Sequence, residues 1–376
     1  MILKKLVYSE FEGQPNYWEL TELALERINL LVGKNATGKT NTINRILWLA
    51  NLLGGVQPFM FNSCNYRIEL SDDNDTYVYT LRISLQKVVE EKLTINGEEK
   101  FSRSNNGEGK IFAERLGSML DFQVPTNQLV AVARRDKIQH SYLDKLFEWA
   151  EGLRFYAFGS PLGKDSGFAT TSIEQLVADP HDSNQVAALF AKGKQEYLDE
   201  FNNKILEYMK IIGYELTAVD VAPNPHIQLP IPNGTLNMIY VIENGREMPL
   251  FQPDISQGMF RALSLIIQLV YNTRKQLPTT ILIDDIGEGL DFDRSTSLIN
   301  LLSSVAETNE IQLIMSTNDR FVMNNVPLEN WQVIQRDGGV CSVHNYANSK
   351  DKFEEFRYTG LSNFDLLTSD FLSEAR

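Results

Sequence analysis

The sequence predicts an α/β protein that carries an antiparallel β meander and an inserted α+β, largely helical region. Near both ends of the chain, short apolar runs typical of buried strands alternate with helical patterns. The strand-like runs are residues 28–32, 280–283 and 311–315. Helical spacing follows in residues 40–53 and 295–306. Between the two ends, residues 66–112 alternate with a period of two, and Asn96-Gly97 indicates a tight turn. The ends therefore favour an α/β core, and the middle favours an antiparallel sheet.

The elements between these regions complete the predicted organisation. Residues 137–155 and 185–212 follow helical spacing, and residues 159–171 are rich in glycine, serine and threonine, which predicts a mobile loop. Residues 260–271 are helical again. The predicted domains are an N-terminal lobe (1–135), an inserted helical region (136–235) and a C-terminal lobe (236–376).

Length and composition are those of an ordinary globular protein. The chain has 376 residues, of which 43% are hydrophobic and 22% are charged, so disorder and collagen are excluded as whole-chain descriptions. Cys64, Cys341 and four scattered histidines show no zinc or disulfide spacing. The N-terminus lacks the apolar core of a signal peptide, and no run approaches the about 20 apolar residues of a membrane span. We expect a cytoplasmic protein without a membrane segment.

The net charge of -14 bears on nucleic-acid binding. A field of this sign repels phosphates over most of the surface, so contact with DNA requires a local basic patch. The best candidate is Arg134-Arg135-Asp136-Lys137. The alternative is a solvated helix start, because charge runs usually face water. Direct nucleic-acid binding therefore stays open.

The strongest motif lies between the strand at 28–32 and the helix at 40–53. Its residues fit G-x-x-x-x-G-K-[ST] at every fixed position: Gly33, Lys34, Asn35, Ala36, Thr37, Gly38, Lys39 and Thr40. In such a loop, backbone N–H groups surround phosphates and the helix N-terminus adds positive potential. Lys39 is predicted to reach the β- and γ-phosphates, and the Thr40 hydroxyl to hold Mg²⁺.

A second motif supplies carboxylates. The buried strand at 280–283 runs directly into Asp284 and Asp285, and Glu288 follows three residues later. Nucleotide hydrolysis needs an acid on the metal and a group that orients or deprotonates water. Asp284 is the candidate metal ligand, and Asp285 or Glu288 is the candidate base. A pair of aspartates that only caps a turn is the structural alternative.

The third motif is Ser256-Gln257-Gly258 at the start of the helix around 260–271. A hydroxyl and free N–H groups at a helix start can bind a γ-phosphate. An ordinary serine N-cap is the alternative.

Order and spacing of these motifs resemble the ABC-type ATPases of the SMC, RecF and OLD (overcoming lysogenisation defect) group. Gly33-Lys34-Asn35 resembles the group's G-x-N opening, and Asp285, Glu288 and Gly289-Leu290 resemble its D-E-x-E-x-G-L string. The tail, Tyr358-Thr359-Gly360-Leu361-Ser362-Asn363-Phe364, resembles that of stand-alone OLD-like ATPases without a fused nuclease. The resemblance implies a P-loop fold of ABC type, with ATP and Mg²⁺ as ligands. It also implies a homodimer or higher even oligomer in which Ser256 and Gly258 of one subunit touch the γ-phosphate bound to the other.

Three positions depart from the group's pattern. Asp285 stands in place of glutamate, Asn318 in place of the switch histidine, and Ala36 in place of glycine. A base shorter by one methylene and a switch residue that cannot carry a proton predict slow hydrolysis. Gln128 is a candidate for the group's glutamine between the lobes.

The resemblance implies a function in an assembly. Solitary OLD-like heads pair with a separate effector such as a nuclease or toxin, which predicts an ATP-driven gate or scaffold in prokaryotic antiviral defence. The 159–171 loop is the predicted contact region. Three alternatives stay open: a RecF-like repair ATPase, a nucleotide-gated scaffold that does not hydrolyse ATP, and a transporter head. Tyr17 and Trp18 are candidates to pack on the adenine, although such aromatics are more often core.

Overall fold

The structure is a computed structural model that describes residues 1–56, 62–72, 75–170, 173–225, 235–277, 279–369 and 371–372. Its strands up to the meander are β1 Ile2–Glu10, β2 Trp18–Ala24, β3 Ile28–Val32, β4 Ser63–Asp72, β5 Asp75–Ser84, β6 Lys87–Ile95, β7 Glu98–Arg103, β8 Glu108–Ala113 and β9 Ser118–Gln123. The later strands are β10 Leu153–Ala157, β11 Phe168–Thr170, β12 Leu216–Pro223, β13 Thr235–Glu243, β14 Leu250–Phe251, β15 Thr280–Asp284, β16 Gln312–Ser316, β17 Trp331–Asp337 and β18 Val340–His344. The helices are α1 Lys39–Leu53, α2 Val130–Ala133, α3 Tyr142–Glu151, α4 Val186–Ile211, α5 Gln257–Arg274, α6 Phe292–Thr308, α7 Arg320–Asn325, α8 Tyr346–Arg357 and α9 Asp365–Thr368.

One large sheet joins both ends of the chain. Its order, among the described residues, is β10-β15-β16-β3-β17-β18-β2-β1-β4-β5-β6-β7-β8-β9. The first five strands are parallel, and β1 and β4–β9 form the predicted antiparallel meander. The carboxyl ends of β3, β15 and β16 therefore meet at one edge of the sheet, which is where α/β folds place their sites. The predicted α/β fold with a β meander is confirmed.

The parallel strands are buried on both faces, as their continuous apolar runs predict. One hydrophobic cluster, which includes Leu31, Leu282 and Ile314, packs under α1 and the meander. A second cluster, which includes Leu30, Ile283 and Met315, packs under α4, α5 and α6. Neighbouring residues of one strand thus point to opposite layers.

The predicted helix at 137–155 is only partly correct. The helix covers Tyr142–Glu151, and Leu153–Ala157 forms β10, which pairs in parallel with β15. Burial of β10 against the carboxylate strand outweighs the helical pattern that precedes it. Part of the predicted insertion thus belongs to the main sheet.

The rest of the inserted region contains a bent helix and a small sheet. In α4, Leu198 has a positive φ of 53°. The ring centroids of Phe190 and Phe201 are only 5.8 Å apart, whereas eleven residues of straight helix span about 16 Å. The two halves of α4 therefore fold back on each other as a helical hairpin. β11, β13, β12 and β14 form the second sheet beside it. Across the described ranges, no helix is long and apolar enough to cross a membrane.

Candidate active site

The loop 33–38 connects the buried strand β3 to α1, which is the strand–loop–helix context that its sequence pattern requires. Lys39, the first residue of α1, donates to the carbonyl oxygens of Gly33 at 2.8 Å and Lys34 at 3.1 Å. Asn35 and Ala36 are exposed at the tip. Burial lowers the pKa of the Lys39 ammonium, and the nearby Asp285 and Asp284 oppose this shift.

The rest of the loop is held by a hydrogen bond of the Thr37 hydroxyl and by contact with the neighbouring strand β18. The Thr37 hydroxyl donates to the carbonyl oxygen of Lys34 at 2.9 Å. The backbone carbonyl oxygen of Thr37 lies 3.1 Å from the Cys341 thiol. Gly38 is the N-cap of α1, with a positive φ of 107°. The loop is thus ordered at its base and open at its tip.

Thr40 and Asp284 are 244 positions apart in the chain and meet at the edge of the sheet. The Thr40 hydroxyl donates to Oδ1 of Asp284 at 3.2 Å. Asp284, the last residue of β15, is 8% exposed. One carboxylate and one hydroxyl are hard oxygen ligands, and Mg²⁺ in nucleotide sites takes one or two protein ligands besides phosphates and water. The two residues therefore fit Mg²⁺.

Residues 284–288, which we call the acid turn, gather three carboxylates. Asp285 has a positive φ of 56° and is half-buried, whereas Glu288 is exposed. Burial raises the pKa of Asp285, and repulsion from Asp284 and Glu288 raises it further. A half-buried carboxylate with a raised pKa is suited to general-base chemistry.

Residues 316–319, which we call the switch segment, are hydrogen-bonded to the acid turn. Nδ2 of Asn318 donates to Oδ1 of Asp285 at 3.0 Å. The Thr317 hydroxyl donates to the carbonyl oxygen of Ile286 at 2.8 Å. The predicted site residues Asn318 and Asp285 are thus in direct contact.

The loop after β10 closes one side of the acid turn. A β-carbon added at Gly159 would lie 2.7 Å from Oε2 of Glu288 and 3.3 Å from Cβ of Asp285, so only glycine fits without displacement. The strand is followed by Phe158-Gly159-Ser160, without a glutamine. Gln128 lies elsewhere: its carbonyl oxygen accepts from Arg103 of the meander at 2.7 Å. The assignment of Gln128 as the glutamine between the lobes stays a prediction.

The predicted mobile loop at 159–171 is tied down over most of its described part. Nε2 of the fully buried Gln252 donates to the carbonyl oxygens of Gly163, Lys164 and Ser166. Residues Phe168–Thr170 pair with β13. The small residues permit this close packing, which the sequence pattern cannot distinguish from flexibility.

Arg261 connects the acid turn to the helix that begins after Ser256. Its guanidinium donates to the carbonyl oxygens of Gly159, Ser160 and Glu288. It is 8% exposed. No role was predicted for Arg261 from the sequence, although it is the only charge in α5 before Arg274. A lone charge on an apolar helix is a recognisable signal.

Ser256 and Gln257 are exposed at the N-terminus of α5, and the Ser256 hydroxyl caps the helix by accepting from the backbone of Met259 at 3.4 Å. A β-carbon at Gly258 would lie 2.3 Å from the carbonyl oxygen of Gly289. Gly258 is therefore required for the close approach of this turn to the residues after the acid turn. The serine has the geometry of an N-cap and remains accessible to a ligand.

The P-loop and the Ser256–Gly258 turn face different cavities. A cavity of ≈ 310 Å³ beside the P-loop is lined by Gly33, Lys34 and Thr37, together with β17, β18 and the C-terminal segment. A cavity of ≈ 560 Å³ is lined by Ser256, Gln257 and Gly258. The two share no lining residue within the described part of the chain. The structure thus brings together Lys39, Thr40, Asp284, Asp285, Glu288 and Asn318. The third motif approaches this cluster where Gly258 meets the carbonyl oxygen of Gly289, but it lines a different cavity.

Trp18 and the basic cluster at 134–137 both make packing contacts within the fold. Trp18 is 4% exposed and packs on Tyr8 and Arg45, so it belongs to the core. In the basic cluster, the Arg134 guanidinium lies over Phe122, and that of Arg135 lies 3.5 Å from the ring centroid of Phe147. Both arginines are partly engaged by aromatic rings, which weakens the case for a DNA-binding patch.

Comparison with solved structures identifies the fold. An SMC head bound to the C-winged helix domain of ScpA is 14% identical, with a TM-score of 0.54 over 92% of this chain and 97% of that chain. An SMC head with an extended coiled coil, bound to the C-terminal domain of ScpA derived from Pyrococcus furiosus, is 14% identical, with a TM-score of 0.50 over 94% and 99%. The comparison with curated proteins gives no match. A family model described as "AAA domain, putative AbiEii toxin, Type IV TA system" matches residues 28–324. The chain therefore belongs to this AAA-domain family, and its fold is that of an SMC-type ABC ATPase head.

Proposed function

We propose that the protein binds Mg²⁺-ATP and hydrolyses it slowly as a dimeric ABC-type ATPase. The observation that carries the proposal is the hydrogen bond of 3.2 Å from the Thr40 hydroxyl to Oδ1 of Asp284, beside Lys39. A phosphate loop, a metal-binding pair and a nearby carboxylate are the parts that phosphoryl transfer requires. Without Asp284 and Asp285 at this edge, the loop alone would support nucleotide binding and no more.

Each residue has a proposed role. When ATP binds, Lys39 exchanges its hydrogen bonds to the loop carbonyl oxygens for contacts with the β- and γ-phosphates. The loop N–H groups bind the same phosphates. Thr40 and Asp284 hold Mg²⁺, which when bound neutralises charge on the phosphates. Asp285 orients and deprotonates the attacking water, with Glu288 as the second acid and Asn318 holding Asp285. The short aspartate side chain supports slow turnover.

The dimer is proposed from the separation of the two cavities. Ser256 and Gln257 are exposed, and neither they nor Gly258 line the P-loop cavity of their own chain. They are therefore available to a nucleotide held by a second copy, in the arrangement implied by the resemblance to ABC-type heads. Closure of two copies around two ATP molecules would then make the conformation of the dimer depend on whether ATP is bound.

We further propose that closure gates or scaffolds a separate effector, such as a nuclease or toxin, in prokaryotic antiviral defence, in the manner of a stand-alone OLD-like ATPase. The toxin–antitoxin wording of the family description supports this direction. The solved SMC heads are bound by a separate protein, ScpA, which supports a protein partner in general. Co-purification of the chain from its source without any neighbouring gene product would contradict the effector proposal.

The first test is ATP turnover by the purified chain, with and without duplex DNA, beside Lys39→Ala. Turnover that DNA leaves unchanged and that Lys39→Ala reduces by about 10³-fold or more supports the proposal, because a positioned cation on the phosphates is worth several kcal/mol. Lys87→Ala on the exposed meander is the matched control.

Other outcomes of this test favour the alternatives. Strong stimulation by DNA would favour a RecF-like repair ATPase. Tight ATP binding and dimerisation without turnover would favour a nucleotide-gated scaffold. Sedimentation of Asp285→Asn with and without ATP measures the dimer: a monomer in both conditions would contradict the proposed ATP sandwich.

A further inference from the structure

The switch segment contains a buried hydroxyl to which the proposed function assigns no role. Ser316 is the last residue of β16 and is 0% exposed. In the sheet, β16 lies between β3, which leads into the P-loop, and β15, which leads into the acid turn. The register pairs Ile283 with Met315, so the next position places Ser316 beside Asp284.

Ser316 makes three contacts with three consecutive residues of the acid turn. Its hydroxyl donates to the carboxylate of Asp284. The same oxygen accepts from the backbone N–H of Asp285 at 3.0 Å. Its carbonyl oxygen accepts from the backbone N–H of Ile286 at 2.9 Å. A hydroxyl can donate and accept at once, whereas alanine can do neither with its side chain.

These contacts fix both acids at the same time. The bond to Asp284 orients one carboxylate oxygen toward Thr40, which donates to that same Oδ1. The bond from the Asp285 N–H holds a residue whose φ of 56° is uncommon for a residue other than glycine. That backbone geometry directs the Asp285 side chain to Asn318.

We propose that Ser316 is a positioning residue that orients Asp284 for the metal and holds Asp285 in its left-handed conformation. The inference rests on the proposed function, because it assigns Ser316 to the Mg²⁺ ligand of that site. Groups that hydrogen-bond to metal-binding carboxylates fix their orientation, and their loss weakens metal affinity by about 10- to 100-fold. Ser316 thereby joins the switch segment and the metal ligand in one hydrogen-bonded unit.

The test uses the full chain with Ser316→Ala, Ser316→Thr and a matched control, Ser295→Ala. Ser295 is equally buried, and its hydroxyl has no hydrogen-bond partner among the described residues. Mn²⁺ affinity in the presence of ATP is measured by electron paramagnetic resonance. Binding of a fluorescent ATP analogue in EDTA reports the P-loop without metal, and thermal unfolding reports the fold.

Ser316→Ala is expected to weaken Mn²⁺ binding by about 10-fold or more while metal-free nucleotide binding stays unchanged. Ser316→Thr keeps the hydroxyl and is expected to retain Mn²⁺ binding, as is Ser295→Ala. Unchanged Mn²⁺ affinity in Ser316→Ala would overturn the inference alone. An equal loss of metal-free nucleotide binding would assign Ser316 a packing role and overturn it as well. Failure of the wild-type chain to bind Mn²⁺ with ATP would instead contradict the proposed function itself.

Discussion

Two clusters in this protein, Glu91 with its hydrogen-bond donors and the acid turn, differ in how carboxylate charge is satisfied. Glu91 on β6 is fully buried and accepts from the backbone N–H groups of Val130 and Ala131, at 2.7 and 3.0 Å, and from the Tyr79 hydroxyl at 3.1 Å. A nitrogen of Arg103 lies 3.9 Å away. Glu91 thus holds the start of α2 against the meander.

The acid turn is the opposite case. Asp284 and Glu288 both repel Asp285. The nearby cations are engaged elsewhere: Lys39 donates to loop carbonyl oxygens, and Arg261 donates to backbone carbonyl oxygens and lies 3.6 Å from the Glu288 carboxylate. Burial is the largest cause of a raised pKa for both Asp285 and Glu91. The direction of a pKa shift therefore does not separate a structural acid from a functional one. What separates them is whether the surrounding donors are complete or leave room for a cation and phosphates.

Among variants that compare the two clusters, the largest expected effect comes from Asp285→Asn. Turnover is expected to fall by about 10²- to 10³-fold, because a positioned base contributes on that scale. Stability is expected to rise, because the neutral amide removes repulsion within the acid turn and still accepts from Asn318. Steady-state turnover and chemical denaturation measure the two changes. Intact turnover would exclude Asp285 as the base, and Glu288→Gln is then the next variant to assay.

Glu91→Gln is expected to show the reverse pattern. It leaves Arg103 buried without its counter-charge and places an amide N–H₂ near backbone donors, so unfolding free energy is expected to fall by about 3 kcal/mol. Turnover well below the unfolding temperature is expected to stay unchanged. The exposed neighbour Glu90 supplies the control, Glu90→Gln. Loss of turnover in a folded Glu91→Gln protein would break the contrast between the two clusters.

Gly159→Ala tests how closely the loop after β10 approaches the acid turn. The added β-carbon would displace Glu288 and press on Asp285. Turnover is expected to fall by about 10-fold, because sub-ångström shifts of catalytic groups cost on this scale. Little stability is lost, since the end of the Glu288 side chain can move. Gly54→Ala, at the far end of α1, is the control, and an unaffected Gly159→Ala enzyme would show that Glu288 has no part in the reaction.

The smallest effect is expected for Ala36→Gly in the P-loop. Ala36 has a φ of 62°, a conformation that costs alanine about 1 kcal/mol relative to glycine. The gain is partly offset by the greater freedom of glycine in the unfolded chain. We expect a net change in stability below about 1 kcal/mol and slightly tighter ATP binding, measured by denaturation and by titration with a fluorescent analogue. A clear loss of affinity would show that the alanine methyl group contributes to the site.

Local sequence patterns predicted a large part of the fold and, in the site, the P-loop and the carboxylates after β15. The P-loop, β15 and the acids that follow it are contiguous segments whose periodicity and turn residues are readable without a partner. The helix start at Ser256 was readable for the same reason. β10 was missed although Gly152 separates it from α3, because its apolar residues extend the helical pattern and its strand geometry comes from pairing with β15.

The sequence by itself determined the phosphate loop and its helix, the carboxylate strand, the meander and the cap at Ser256, because each depends on neighbours within a few residues. Only the tertiary structure decided which of these meet. Parallel pairing of β3, β16 and β15 brings Thr40 to Asp284 and Asn318 to Asp285 across long stretches of chain. Packing also buried Trp18 beside Gly38 of the P-loop and tied the glycine-rich loop to Gln252 and Arg261. Such contacts depend on sheet order and register, which no local pattern records.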